Sequence, residues 1–283
     1  MSAGLTGAAR VAGVVGSPVR HSLSPLLHGA WIEAAGIDAA YVPFTPRETA
    51  FPAFVEGLRA SIAGLNVTIP FKEQALALAD SADALSTAAG AANLLLFHPD
   101  GSIEARNTDG PGLLAAFAEQ APQYEVADRP VLVLGAGGAA RGAVAALVKA
   151  GAPEVRVLNR TQAKADVLAA NFDRTRALPW DQSAKALEGI GAVINATAGG
   201  LSGGGELAFS FDGAPADAVA MDMVYKPLTT PFLAAASRRG HVVVDGLAML
   251  IGQAVPSFEA FYGCAPPPGT LVRAIALRAL GEA

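Results

Sequence analysis

The sequence predicts an α/β protein built in two parts, and three observations carry that expectation. Residues 10–106 alternate strand-like and helix-like runs. From residue 131 onwards short apolar strands recur, with helical stretches between several of them, which is the rhythm of a parallel, doubly wound sheet. At the junction, the apolar run Val131–Leu134 passes directly into the glycine-rich turn Gly135-Ala-Gly-Gly-Ala-Ala140.

The N-terminal part reads in order as strand Arg10–Gly16, helix Pro25–Ala35, strand Ala39–Phe44, helix Glu48–Ala60 and strand Gly64–Pro70. Ala91–Phe97 and Ser102–Arg106, split by His98-Pro-Asp-Gly101, read as a β-hairpin. The second part has strands at Val131–Leu134, Val155–Leu158, Ala192–Asn195, Ala218–Met223 and His241–Val244, with a helix over Arg141–Ala150. Two last helices, Leu247–Tyr262 and Leu271–Leu280, follow the final strand and are expected to return to the first part. The expected domains are therefore 1–109 with 247–283, and 110–246, with the active site in the cleft between them.

Of the 283 residues, 52% are apolar and 16% charged, enough to bury a substantial core and to exclude general disorder. A net charge of −5 argues against nucleic-acid and membrane-surface partners, which need a positive face, but leaves anionic small ligands open. Cys264 is the only cysteine, so no intramolecular disulfide or thiolate zinc cluster can form. No apolar leader or bilayer-length apolar stretch stands out, and a soluble, cytoplasmic monomer or homodimer acting on a small molecule is expected.

Gly135, Gly137 and Ala140 fit the G-x-G-x-x-G/A dinucleotide fingerprint in the context that it requires, a strand before and a helix after. Small residues let backbone approach a pyrophosphate, whose charge suits the N–H groups of a helix N-terminus. The next strand, Val155–Leu158, ends in Asn159-Arg-Thr-Gln-Ala-Lys164, with no carboxylate before Asp166. An NAD site usually has an acidic residue there for the ribose 2′-hydroxyl, whereas Arg160 and Lys164 suit a 2′-phosphate and so favour NADP. An ordinary basic helix start is the other reading, although cations there oppose the helix dipole.

In Gly64-Leu-Asn-Val-Thr-Ile-Pro-Phe-Lys72 the apolar residues alternate with Asn66 and Thr68, which share one face and could both hydrogen-bond a polyhydroxylated ligand. On spacing alone Lys72 reads more often as a solvated surface lysine. Ser22 and Ser24, in His21-Ser-Leu-Ser-Pro25, suit a carboxylate at a helix start, while Ser24 before Pro25 also reads as a plain N-cap. Asp109, in Asn107-Thr-Asp-Gly-Pro-Gly112, reads in isolation as a turn or cap. His21, His28, His98 and His241 show no mutual metal spacing, so no metal site is expected.

Taken together and in order, these motifs resemble the shikimate dehydrogenase family. The resemblance runs from Gly16 to Gly263 and includes Gly16–His28, Gly64–Lys72, Asn107–Asp109, Gly135–Ala140, Asn159–Thr161, Asn195–Thr197, Met221–Pro227 and Gly246–Gln253. It implies an N-terminal substrate domain, a Rossmann-type NADP domain, and reversible reduction of 3-dehydroshikimate to shikimate by NADPH. It further implies that Lys72 and Asp109 form the catalytic pair, and that Ser22 and Ser24 bind the substrate carboxylate. Asn66, Thr68, Asn93 and Gln253, together with Asp109, would contact ring hydroxyls, with Tyr225 nearby. Gly135, Ala136, Gly137, Gly138, Ala139, Asn159, Arg160, Thr161, Lys164, Thr197, Met223, Gly246 and Met249 would line the cofactor.

Three positions depart from the family's usual pattern: Gly29 in place of Asn, Leu94 in place of Thr, and Ala198 in place of Ser. They leave the proposed catalytic pair untouched. Quinate/shikimate and aminoshikimate dehydrogenases are the enzymatic alternatives, and a cofactor-binding relative without turnover is the non-enzymatic one. Ser24 resembles the shikimate-selective pattern, because quinate-using relatives often carry threonine there. The run Gly199–Gly205 reads either as a loop beside the cofactor or as a plain linker.

Overall fold

The computed structural model describes residues 4–197 and 209–282, so Ala198 and Gly199–Gly205 lie outside the described residues. The chain divides into two compact units: one runs to Thr108 and resumes at Gln253, and the other spans Asp109–Gly252.

The first unit holds β1 (Arg10–Val15), β2 (Ala39–Phe44), β3 (Gly64–Val67), β4 (Ser81–Ala82), β5 (Leu94–Phe97) and β6 (Ile103–Arg106). They form one mixed sheet in the order β2-β1-β3-β5-β6-β4. β1 pairs parallel with β2 and β3, β5 runs antiparallel to both β3 and β6, and β4 runs parallel to β6. Its helices are α1 (Ser24–Ala35), α2 (Phe51–Leu58), α3 (Lys72–Leu78) and α4 (Ala84–Ala89). Strand side chains alternate between faces, so this sheet is apolar on both. Val15, Leu65, Val67, Leu95 and Phe97 pack with Phe51, Val55 and Phe71, while Ala12, Val14, Leu94 and Leu96 pack with Tyr41 and Phe261.

The second unit begins with α5 (Asp109–Gln120) and then alternates strand and helix: β7 (Val131–Leu134), α6 (Gly138–Lys149), β8 (Val155–Leu158), α7 (Gln162–Ala169), β9 (Thr175–Leu178), α8 (Ser183–Ala186), β10 (Ala192–Asn195), β11 (Val219–Asp222), α9 (Pro231–Arg238) and β12 (Val242–Val244). The sheet is parallel throughout, in the order β12-β11-β10-β7-β8-β9. The chain thus starts in the middle, adds two strands on one side, and returns to build the other. Val131, Val133, Ala192 and Ile194 face α5 and α6, and Leu132, Leu134, Val193 and Ala220 face α9. After β12 come α10 (Gly246–Tyr262) and α11 (Val272–Leu280), and α11 packs on α1.

Several boundaries differ from the sequence expectation, each for a local reason. The helix expected over Glu48–Ala60 is a single 3₁₀ turn, Glu48–Ala50, followed by α2, since Pro52 has no N–H to continue a helix from residue 48. The strand from Gly64 stops at Val67, ahead of Pro70. The strand expected from Ala91 starts at Leu94. α6 begins at Gly138, inside the glycine turn, rather than at Arg141. The short elements α3, β4, α4 and β9 carry too few residues for periodicity to register.

The aromatic core of the first unit contains His28, fully buried against Trp31, Tyr41, Phe258 and Phe261. Its ring stacks on Tyr41 at 3.9 Å and 6°, and neither ring nitrogen has a hydrogen-bond partner among the described residues. Burial pushes the imidazole down to about 3 from an ordinary 6.5. The unfolded chain takes up a proton at His28 below 6.5 while the native ring stays neutral, so this contribution to stability is complete above pH 6.5 and is lost as the pH falls towards about 3. His28→Phe should flatten the acid limb of unfolding free energy against pH by up to about 1.4 kcal/mol per pH unit, measured by urea denaturation at stepped pH. Parallel acid limbs in the two proteins would contradict a neutral, buried His28.

Candidate active site

In the first unit, the serine pair lies at the start of α1. Leu23, not Ser24, occupies the cap position, and it is already helical at φ −87° and ψ −9°. Its carbonyl accepts from both Leu26 and Leu27, which draws the helix back by a residue. The reading of Ser24 as an N-cap is therefore corrected: Ser24 is the first helical residue, and its N–H donates to Ser22 Oγ at 3.3 Å. Both serines are half-buried. Gly29, further along α1, is exposed, and a Cβ there would meet nothing within 4 Å.

β3 delivers Asn66, and the turn after it delivers Thr68 and Lys72. Thr68 is held by its backbone, donating to Val15 at 2.9 Å and accepting from Phe71 at 3.0 Å. Gly16 lies against Thr68 Cγ2 and the Ile69 carbonyl, a gap with no room for a side chain. Lys72 heads α3, half-buried, and its carbonyl accepts from Ala92 at 2.9 Å. This bond fixes the lysine's backbone to the stretch that carries Asn93.

Asn93 is buried just ahead of β5. Its Oδ1 accepts from the Thr108 N–H at 2.7 Å, and its Nδ2 donates to Thr108 Oγ1 at 3.0 Å and to Gln253 Oε1 at 3.1 Å. Asn107 Nδ2 donates to the Ala91 carbonyl at 3.0 Å. The segment leading to Asp109 is thus clamped to the segment carrying Asn93. Leu94 points into the apolar core with Val14 and Phe261, where a threonine hydroxyl would need its own partner. Asn66 Nδ2 donates to Ser257 Oγ at 2.8 Å and to the Asn93 carbonyl at 3.3 Å, and its Oδ1 accepts from Tyr41 Oη at 2.7 Å.

In the second unit, Asp109 is the first residue of α5. The glycine turn sits where the carboxyl ends of β7, β8 and β10 meet, the point at which strand order reverses and open α/β sheets bind ligands. Gly135 donates to the Leu158 carbonyl at 2.8 Å, and Ala196 donates to Leu134 at 2.9 Å. Gly135 adopts φ +114°, and a Cβ there would stand 3.1 Å from the Ala196 carbonyl and 3.2 Å from Thr197 Cγ2. Only glycine takes that conformation without strain. Gly137 and Gly138 are exposed, and a Cβ at either would meet nothing within 4 Å, so backbone alone faces that space. Gly137 caps α6 without a side chain. With Ala136 and Ala139 half-buried beside them, these residues fit a dinucleotide pyrophosphate at a helix N-terminus.

The turn after β8 presents exposed Arg160, Thr161 and Lys164 and is braced by Asn159 Nδ2 donating to the Thr161 carbonyl at 2.9 Å. Thr197 is positioned by Asn195, whose Oδ1 accepts from the Thr197 N–H at 3.1 Å and hydroxyl at 2.7 Å. Asn195 in turn donates to Asp222, a fully buried carboxylate that also accepts from Thr230 Oγ1 at 2.6 Å and the Val224 N–H at 3.0 Å. Burial lifts the Asp222 carboxyl above its usual range, and the Thr230, Val224 and Asn195 donors pull it back. Met223 donates to the Asn195 carbonyl at 3.0 Å, and Tyr225 follows, half-buried. Gly246 packs on the Met223–Val224 backbone, 2.6 Å from the Val224 carbonyl at its would-be Cβ, and Met249 is buried in the core. Asp245 accepts from the Ala248 N–H at 2.9 Å at the start of α10, and is itself held by Gln120.

Sequence reading did not single out Tyr41, Thr108, Asp222, Thr230 or Ser257. Their partners lie up to 191 residues away, so no local spacing could have identified most of them. Asp222 lies within the quoted Met221–Pro227 motif, and an acid inside an apolar strand run was a signal available there.

Comparison with known proteins matches residues 14–95 to the shikimate dehydrogenase substrate binding domain and residues 116–201 to shikimate / quinate 5-dehydrogenase. The chain is 56% identical over 284 residues to a shikimate dehydrogenase (NADP(+)) from Caulobacter vibrioides, covering 100% of both chains. Among solved structures, it is similar to shikimate 5-dehydrogenase from Thermus thermophilus in complex with NADP(H) and shikimate, with TM-score 0.86 and 36% identity over 96% of this chain and 100% of that one. It is also similar to a quinate dehydrogenase from Corynebacterium glutamicum in complex with NAD, with TM-score 0.84 and 25% identity over 95% of this chain and 99% of that one.

The Asp222 network predicts a stability effect. Asp222→Asn places an amide N–H₂ among three converging donors and should lower the unfolding free energy by about 2 kcal/mol, measured by urea denaturation. An unchanged denaturation midpoint would mean that the three donors do not need the carboxylate.

Proposed function

The chain belongs to the shikimate dehydrogenase family, and from that premise we propose that it catalyses the reversible, NADP-dependent reduction of 3-dehydroshikimate to shikimate, a step of aromatic amino-acid biosynthesis. The observation that carries this reading is the end-to-end relationship to a shikimate dehydrogenase (NADP(+)). Among the described residues no helix is long and apolar enough to cross a membrane, and with its single cysteine we read the chain as a cytoplasmic enzyme.

Residues of the first unit hold the substrate in this reading. The Ser22 and Ser24 hydroxyls bind its carboxylate. Thr68, Asn93, Gln253 and Asp109 are the residues assigned to the ring hydroxyls, and Tyr225 is assigned to the substrate with them. The glycine turn holds the pyrophosphate, Arg160 and Lys164 hold the 2′-phosphate, and Thr197, Met223, Gly246 and Met249 line the remainder of the cofactor site. NADPH, when bound there, would supply the hydride that the ketone carbon accepts.

The protein's task is to orient the partners and move one proton. A lysine carries its proton at neutral pH. Lys72 transfers that proton to the carbonyl oxygen as the C–H bond forms, so the C=O becomes C–OH and the ammonium becomes a neutral amine. Asp109 orients the lysine. In the oxidative direction the neutral amine takes the hydroxyl proton.

Lys72→Ala should lower kcat by about 10²–10⁴-fold with little change in the KM for shikimate, read from steady-state rates. A raised KM with kcat kept would assign Lys72 to binding instead. Arg160→Ala should raise the KM for NADPH by on the order of 10-fold while leaving NADH nearly unchanged, since only the former carries the 2′-phosphate. Equal losses for both cofactors would show that the guanidinium does not read that phosphate.

A further inference from the structure

Tyr41 lies on β2, outside every motif that the family resemblance rests on, yet it is buried beside residues read as substrate contacts. Its hydroxyl donates to Asn66 Oδ1 at 2.7 Å. The Asn66 amide gives one N–H to Ser257 Oγ at 2.8 Å and the other to the Asn93 carbonyl at 3.3 Å. A side-chain amide has only two N–H donors, so Asn66 has none left for a ligand. Ser257, fully buried, passes its single hydrogen to the Gln253 carbonyl at 3.1 Å. Asn93 closes the circuit by donating to Gln253 Oε1 at 3.1 Å.

This network has a direction. The Asn93 carbonyl can only accept, so turning the Asn66 amide over would set oxygen against oxygen. The Asn66 N–H₂ must therefore face Asn93 and Ser257, and its oxygen must face Tyr41. The phenol is held in turn by the stacked His28 ring, 3.9 Å away. Burial keeps that phenol a neutral donor.

We infer that Tyr41 and Ser257 are positioning residues for the substrate: Tyr41 through Asn66, and Ser257 directly, hold the main-chain carbonyls of Asn93 and Gln253 and so place the side chains that those two residues carry. Asn66 is then the hub of this network and not a hydrogen-bond donor to the ring hydroxyls. The inference rests on the functional reading above and adds two residues to it. Truncating either hydroxyl leaves half-buried Asn66 short of a partner and loosens the segments that carry Asn93 and Gln253.

The test compares the purified wild-type chain with Tyr41→Phe and Ser257→Ala, and with Trp31→Phe as a packing control from the same aromatic cluster. Steady-state rates give both KM values and kcat, calorimetry gives shikimate affinity, and thermal melting gives stability. Tyr41→Phe and Ser257→Ala should each weaken shikimate binding and raise its KM by about 10-fold, with kcat and the KM for NADP within about 2-fold of wild type. Trp31→Phe should lower the melting temperature and leave the shikimate KM unchanged. The inference is overturned if the two hydroxyl variants lose stability but keep wild-type shikimate KM and affinity. It is equally overturned if Trp31→Phe raises the shikimate KM as much as they do. Wild-type chain that neither binds nor oxidises shikimate would overturn the functional reading itself, and the inference with it.

Discussion

The structure of the first unit depends on polar ties between segments that the chain leaves and revisits. Asn93 to Gln253 spans 160 residues of sequence, and Asn66 to Ser257 spans 191. These bonds dock the C-terminal half of α10 beside β3 and the approach to β5. The aromatic residues of the helix then cover the sheet. Phe261 packs with Leu94 and Leu96, and its ring stands 2.8 Å from where a Cβ on Gly64 would be, so β3 must begin with a residue that has no side chain. Hydrophobic burial supplies the driving force, but it is non-directional and would tolerate a shifted helix. The amides supply the register, because each buried donor and acceptor has to find its own partner. The same bonds fix residues assigned to the substrate, so the requirement for stability and the requirement for recognition fall on one set of side chains.

The second unit meets an analogous demand differently. A parallel sheet buried on both faces leaves only its strand ends for chemistry. There, Gly135 takes a conformation that other residues resist, and its close neighbour Thr197 is held by Asn195 and, behind that, by Asp222. A buried carboxylate is costly unless several donors converge on it, and three do. The result is a rigid support behind an open glycine turn, whose outer face is bare backbone at Gly137 and Gly138.

Much of this was legible in the sequence, and the parts that were not have a common cause. The two-part α/β architecture followed from the spacing of apolar runs, and the glycine turn at the carboxyl ends of the parallel strands followed from one short motif after one strand. Period-two and helical patterns are local, so they register wherever an element is long enough. They fail for α3, which is short and takes its position from the Lys72–Ala92 bond more than from any pattern of its own. They also misplace the start of α1, where Ser24 before Pro25 looks like a cap although Leu23 holds the cap position and Ser24 is already the first helical residue. Tyr41 and Ser257 read as ordinary strand and helix residues. Their significance lies wholly in partners brought together by the fold.

In the proposed function this chain oxidises shikimate with NADP, with Lys72 and Asp109 as the acting pair. Initial rates for shikimate and for quinate, each with NADP and with NAD, test it most directly. The shikimate–NADP combination should turn over with the highest kcat/KM, and exchanging either partner should lower it. Quinate or NAD used as efficiently would contradict the assigned selectivity. Saturable NADPH binding without turnover of any dehydroshikimate-like substrate would contradict the assignment of an enzyme.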